Sequence, residues 1–335
     1  HPFLATLAGR TWRCFEDVVT PATHWLAPAG LQEHPQQQVL HTTSPTGIGL
    51  SLLANLAAWD FGFVAQAALL ARVRAAFGSM ALLERHRGHL YAAYDVRTLA
   101  PLQPARVSTE DSGNLAGHLL TLAIGLERLA DAPIASLRSL EGLRATLLVL
   151  EEHAQGAPRV VRKAIDACRD ALAPERCRNG DTLPGLADCL GAAVRAASML
   201  RATLPDGADA RLRDWAACLD EDCRAARDDL LALAPWIRAV QEYVLDASLT
   251  RIPTLRELAG CALRVSGEGD AGHALAQMVE EGAASARERL LDELDLAADE
   301  VRHQRGEARR REALVGIDAH PGVGPGLAHC AYALG

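Results

Sequence analysis

Two polar stretches interrupt a chain that is otherwise apolar at helical spacing, and they hold the residue types that chemistry requires. One is His41-Thr42-Thr43-Ser44-Pro45-Thr46-Gly47-Ile48-Gly49. The other runs from Glu84 through Arg85, His86, Arg87, Gly88, His89, Leu90 and Tyr91 to Tyr94 and Asp95, and resumes at Val107 through Asn114. A sugar is held by aromatic rings against its C–H faces and by planar polar groups that bond neighbouring hydroxyls. Arg87, His89, Tyr91, Tyr94, Asp95, Asp111 and Asn114 are of these types, and sugar binding is the chemistry they predict. The adjacent acids Glu110 and Asp111 bring paired-carboxylate glycoside chemistry to mind. Neighbouring residues point in different directions, however, so this pair is not read as a catalytic dyad.

Each of these residues also has a plain structural role open to it. Ser112 and Asn114 are suited to capping a helix, and Asp111 to supporting its positive end. Tyr91 and Tyr94 serve equally as half-buried anchors. His86 and His89, three apart on a loop, are expected to be hydrogen-bonded rather than metal-bound, so no metal site is assigned. Ser44 lacks a visible base and is expected to cap a helix rather than attack a substrate. No cofactor is called for, and the catalytic residues remain unassigned.

The elements that must position these residues are helical. Thr11 to Val19 is expected to form a short helix ending before Pro21, followed by a Pro-, Gln- and His-rich loop over residues 22–43. Ser44-Pro45 marks a helix start, with the hydroxyl capping free N–H groups and Pro at the first helical position. Thr46 to Asp60 then places Ile48, Leu52 and Leu56 on one face, and a further helix is expected from Val64 to Glu84. Leu90-Tyr91 and Tyr94-Asp95-Val96 predict short strands, and Pro101 and Pro104 keep the next stretch irregular. A helix is expected to start at Ser112, with Leu115, Leu119, Leu122, Leu126 and Leu129 as its apolar stripe. From about 134 to 305 the pattern is amphipathic helix, broken near 155–158, 179–180, 184, 205–207 and 253, which predicts four to six antiparallel helices. Residues 313–335 lose the period and read as a truncated or frame-altered tail.

Composition narrows the function classes. The chain has 335 residues, with 49% hydrophobic and 23% charged side chains, as in ordinary globular proteins. Its net charge of -8 speaks against nucleic acid as a partner and against a basic membrane-surface module. Lys163 is the sole lysine among the basic residues, a bias that GC-rich coding explains. No uninterrupted apolar run reaches the roughly 18 residues of a bilayer span, so no direct membrane span is expected. The opening His1-Pro2-Phe3 is not a signal peptide and implies that the chain starts partway through a longer protein. The eight cysteines form no CxxC pair and are expected to be small, reduced and buried. Cys218 and Cys223, five apart, are expected on different faces of a helix.

Several long ordered strings resemble one family. Arg10 to Glu16, His41 to Leu53 with "TSPTGIGL", Asp60-Phe61-Gly62-Phe63, Leu83 to Asp95 with "LERHRGH", and Val107 to Leu119 with "STEDSGNLAGHL" are similar to the front part of the central glycoamylase-like domain of bacterial cyclic β-1,2-glucan synthases. The similarity is dense over residues 10–131 and thins to pieces such as Pro253 to Leu258. It implies an all-α fold: part of an (α/α)6 barrel with polar loops over residues 1–131, followed by a helical bundle over 132–312. It implies a β-1,2-glucan ligand met by Ser44, Thr46, Arg87, His89, Tyr91, Asp95, Asp111, Ser112 and Asn114, to which the residue types add Tyr94. It further implies retaining transglycosylation in the parent enzyme, with the reacting acids outside this chain. The remaining synthase domains would be its partners, and the cytoplasmic face of the inner membrane its location. The sequence departs from the family pattern where Ala92 and Ala93 replace Asn and Trp, where Gly47 replaces Asn, and where Leu90 and Ser51 replace aromatic residues. The loss of a Trp platform favours a second expectation, a non-catalytic helical scaffold derived from such an enzyme.

Overall fold

The computed structural model describes residues 2–32, 36, 38–176, 180–239, 247–260 and 270–288. Over these residues the fold is all-α with short strand pairs. Helix α1 spans Pro2–Val18, longer than the expected Thr11–Val19, because Leu and Ala formers extend it toward the N-terminus. The stretch expected as plain loop after it carries a hairpin instead, with β1 (Gly30–Gln32) paired antiparallel to β2 (Gln38–Leu40). Strand β3 (Thr42–Thr43) follows and runs directly into Ser44.

Ser44 caps α2 (Pro45–Asp60) as its sequence predicts: its Oγ accepts from the Gly47 N–H at 3.1 Å, with Pro45 at the first helical position. Ile48 and Leu52 are buried on the expected face, and α3 (Gln66–Leu82) follows a tight turn at Gly62. The polar segment then forms β4 (Arg85–His86), β5 (His89–Leu90) and β6 (Tyr94–Asp95). Helix α4 (Thr109–Ala130) begins three residues before the expected Ser112, because Ser108 is the better placed cap: its Oγ accepts from the Asp111 N–H at 3.1 Å. The stripe Leu115, Leu119, Leu122, Leu126 and Leu129 is buried throughout, and packs chiefly against α2.

Helices α5 (Leu137–His153), α6 (Arg159–Ala171), α7 (Leu183–Thr203) and α8 (Ala210–Leu233) pack in the spatial order α5, α8, α7, α6, with α1 against α5. Short helices α9 (Ala247–Thr250) and α10 (Leu255–Ala259) follow, then α11 (Asp270–Ala286). Pro184 falls inside the first turn of α7 behind a Thr182 cap, so it starts this helix rather than breaking one. One continuous apolar cluster runs from Leu26 to Ala286 and includes Trp236, whose Nε1–H donates to the Leu249 carbonyl at 3.0 Å. Helix α7 is long and apolar enough to match a membrane span by length and composition; here half of it is buried, packed between α6 and α8.

Cys168, Cys189, Cys218 and Cys223 are buried and reduced, whereas Cys14 is exposed. Cys218 and Cys223 are both buried although they lie on different faces of α8, because that helix is flanked by α5 and α7. Cys177, Cys261, Cys330 and the tail over residues 313–335 lie outside the described residues.

Candidate functional site

Thr46 of the first stretch meets Asp111 and Asn114 of the second where the N-termini of α2 and α4 converge. Both helices open on a serine cap, and their dipoles direct positive partial charge toward the same region. Thr46, in the first turn of α2, donates from Oγ1 to Asp111 Oδ1 at 2.7 Å, and the Asn114 amide donates to that same Thr46 oxygen at 3.2 Å. Asp111 and Asn114 are three residues apart on one face of α4, so a single threonine reaches both. Asp111 is half-buried and Asn114 exposed.

The capping roles divide differently from expectation. Ser44 is a cap, but Ser112 is not: its Oγ donates back to the Ser108 carbonyl at 2.8 Å, in the i−4 manner of a helix-interior serine. Asn114 caps nothing, and its amide crosses to α2.

The second stretch joins this cluster through β3, which pairs antiparallel with β6 so that Thr42 lies opposite Asp95 and Thr43 opposite Tyr94. Strands β4 and β5 form a two-residue hairpin in which His86 faces His89. Its turn is Arg87-Gly88 with φ of 48° and 83°, the doubly left-handed geometry of a tight hairpin, in which glycine carries the second position at no steric cost. The turn presents the exposed Arg87 at its tip and leaves His89 half-buried.

Tyr94 is fully buried. Its hydroxyl donates to the Glu84 carbonyl at 2.6 Å and accepts from the Tyr91 N–H at 2.7 Å. This tyrosine is a brace that shapes the loop from inside and has no surface left for a ligand. Burial first of all raises its pKa. Tyr94→Phe should therefore cost about 1–3 kcal/mol, since it strands a buried donor and a buried acceptor at once. Urea unfolding of the two proteins measures this, and equal midpoints would show the hydroxyl to be idle.

Tyr91 is the half-buried aromatic of the pair, its ring 6.3 Å from Tyr94 and 6.4 Å from His86. Asp95 turns away to a local loop: it accepts from the Arg97 guanidinium at 2.9 Å and from the Arg97 and Thr98 N–H groups at 2.8 and 3.3 Å. The bond from the Arg97 side chain is the foremost reason that its carboxyl is held down at about 2. Ala92 and Ala93 sit in backbone pairing, the Ala92 N–H donating to the Arg106 carbonyl and the Ala93 carbonyl accepting from Leu102, so side chains there project from a backbone that is already fixed.

Two residues that sequence reasoning passed over belong to this region. Thr43 is 2% exposed and its Oγ1 lacks a hydrogen-bond partner among the described residues, 3.5 Å from where a Gly47 side chain would begin. His118, one turn beyond Asn114, has a buried Nδ1 without such a partner and fills the space over Gly49. A single threonine and a single histidine carry no pattern in sequence; only the crossing of α2 and α4 reveals them. Among the described residues, no group of three or more His, Cys, Asp or Glu side chains is placed to hold a metal ion.

Comparison with known proteins gives one informative similarity. The chain is 35% identical over 178 residues to the cyclic beta-(1,2)-glucan synthase NdvB of Rhizobium meliloti (strain 1021). The matched part is 50% of this chain and 6% of that protein, so the chain corresponds to a small fraction of its relative's length. No protein-family model matches.

Proposed function

We propose that this chain is a piece of a cyclic β-1,2-glucan synthase-like enzyme, corresponding to the front part of a glycoamylase-like (α/α)6-barrel domain. In this reading it supplies one wall of a β-1,2-glucan site and is inactive alone. The observation that carries the proposal is the Thr46–Asp111–Asn114 network at the converging starts of α2 and α4. It holds a carboxylate and a carboxamide on one threonine at the starts of two helices, and these are residue types that bond sugar hydroxyls. Tyr91, Arg87 and His89 supply an aromatic face and two further polar groups on the adjoining hairpin. The synthase relative supplies the ligand class, through the similarity over half of the chain.

Chemically, this wall binds and orients; it does not react. Retaining transglycosylation needs two carboxyls about 5 Å apart with separate tasks. Asp111 is bonded to Thr46 and Asp95 to Arg97, and neither is paired with a second carboxyl. The resemblance to the synthases implies that the reacting acids lie in the rest of the parent enzyme, which would act at the cytoplasmic face of the inner membrane.

Calorimetric titration with β-1,2-linked gluco-oligosaccharides tests the proposal. Saturable binding is expected, weakened about tenfold or more in Asp111→Ala, as befits one lost charged hydrogen bond. A folded protein that binds no oligosaccharide would point instead to the second reading, a helical scaffold. That reading draws on one observation: Thr46, Asp111 and Asn114 already satisfy one another.

A further inference from the structure

Helix α6 is strongly amphipathic: Val161, Ala164, Ile165, Cys168 and Ala171 are buried, which forces its charged residues onto the outer face. There Arg159, Arg162 and Lys163 fall at spacings of three and four, so all three share one side. Together with Asp166, Arg169 and, from the end of α5, Glu151, they line a depression of about 580 Å³.

The charges in this depression do not balance. Arg169 takes both acids, bonding Glu151 at 2.8 Å and Asp166 at 2.6 Å. Glu152, next along α5, is bonded to Arg10 on α1. Arg159, Arg162 and Lys163 are exposed, and none has an acid or other acceptor of its own among the described residues. Four cations against two acids leave the lining at +2, on a chain whose net charge is -8. The backbone adds to this excess. Helix α6 begins after Pro158 with no side-chain cap and no acid in its first turn, although a helix start favours anions and disfavours cations. Helix α4, by contrast, opens on Glu110 and Asp111. Like charges three and four residues apart also repel, so the fold gains nothing from this grouping. An anion bound here turns each of these repulsions into an attraction.

The lining also selects the kind of anion. An excess of two positive charges matches a doubly charged group. Two guanidinium forks and an ammonium suit phosphoryl oxygens, which arginine bonds in pairs and lysine meets as a point charge. The volume falls within the range of small-molecule sites, about 300–1,000 Å³, and leaves room for an organic part. We propose that this depression binds the doubly charged phosphoryl group of a small phosphate ester, with Arg159, Arg162 and Lys163 donating to its oxygens. The site shares no residue with the α2–α4 wall, and neither reading depends on the other.

Lys163 is the only lysine in the chain, so its ammonium can be followed alone. Reductive methylation with carbon-13 formaldehyde keeps the charge and gives one lysine signal, distinct from that of the amino terminus. Titration uses methyl phosphate, doubly charged at about pH 7.5, with the ionic strength held constant. The Lys163 signal should shift along a saturable curve. Arg162→Gln, on an exposed face where glutamine keeps the helix, should raise the dissociation constant about tenfold or more, the value of one charged hydrogen bond. A linear drift that sodium chloride reproduces would mean an ordinary solvated face and overturn the proposal. Saturation by acetate at the same midpoint overturns the doubly charged class. Saturation by oligoglutamate, but not by methyl phosphate, overturns the small ligand and makes this face a dock for an acidic protein segment.

Discussion

Replacing Gly142 by alanine should destabilise the protein by about 2 kcal/mol, although alanine is the better helix former. On propensity alone, the interior of α5 would gain about 1 kcal/mol from the change. The opposing effect is steric. A Cβ at Gly142 would overlap the Gly62 carbonyl and stand 3.0 Å from the Phe63 nitrogen, and these are backbone atoms that no rotamer change can move. The fit is reciprocal, since a Cβ at Gly62 would overlap the Arg138 carbonyl on α5, and the φ of +79° at Gly62 disfavours any other residue there. Overpacking of this kind costs about 1–3 kcal/mol, and its upper end applies where both partners are main chain. Gly78→Ala on α3 provides the contrast, because nothing lies within 4 Å of a side chain there, and it should stabilise by up to about 1 kcal/mol. Urea midpoints of the two variants should move in opposite directions. If both rose, the α2–α3 turn would not be seated on α5 as described.

This seat explains why Asp60-Phe61-Gly62-Phe63 stands out in the sequence without declaring its purpose. Periodicity identifies what a segment does for itself: the leucine stripe of α4 and the Ser44-Pro45 start of α2 are local signals, and both hold in the structure. Choices between near-equivalent local signals are less visible. Ser108 and Ser112 are both plausible caps, and the backbone path after Arg106 decides for Ser108. The side chains around Thr46 were legible as residue types, yet their division into network and frame was not. Tyr94 and Tyr91 look alike in sequence, but the Glu84 carbonyl draws one hydroxyl fully inside and leaves the other ring half-exposed. Least legible is a pocket lined by Gln66 and Arg72. It needs α1 and α8, some two hundred residues apart, to meet across α3 and α5, and no spacing along the chain encodes that meeting.

The same meeting of α1 and α8 governs how stability should vary with pH. Asp222 on α8 is pushed up to about 7 from an ordinary 3.8, by burial in the first place and by the negative charge of Glu16 on α1 in the second. Its Oδ2 takes a bond from the Cys218 thiol at 3.4 Å, Arg13 on α1 offsets part of the shift, and Glu221 beside it adds to it. Glu16 is raised as well, by burial against the pull of Arg72 and Arg13. Between about pH 4 and pH 7 the folded chain therefore keeps a proton on Asp222 that the unfolded chain has released. A raised carboxyl of this kind favours the folded state at low pH, and that advantage is lost as pH rises through the folded value. Each pH unit is worth about 1.4 kcal/mol for a full proton, so partial access to water leaves an expected fall of about 2–4 kcal/mol across the window. Asp95 and Glu257, both held down at about 2 mainly by their arginine partners, work in the opposite sense, and they do so only below about pH 4. Asp222→Asn should flatten the decline between about pH 4 and pH 7 and leave the variant more stable than the parent chain at neutral pH. Unfolding free energies measured across that range decide the matter: a wild-type curve that is level, or that rises with pH, would remove Asp222 from this role.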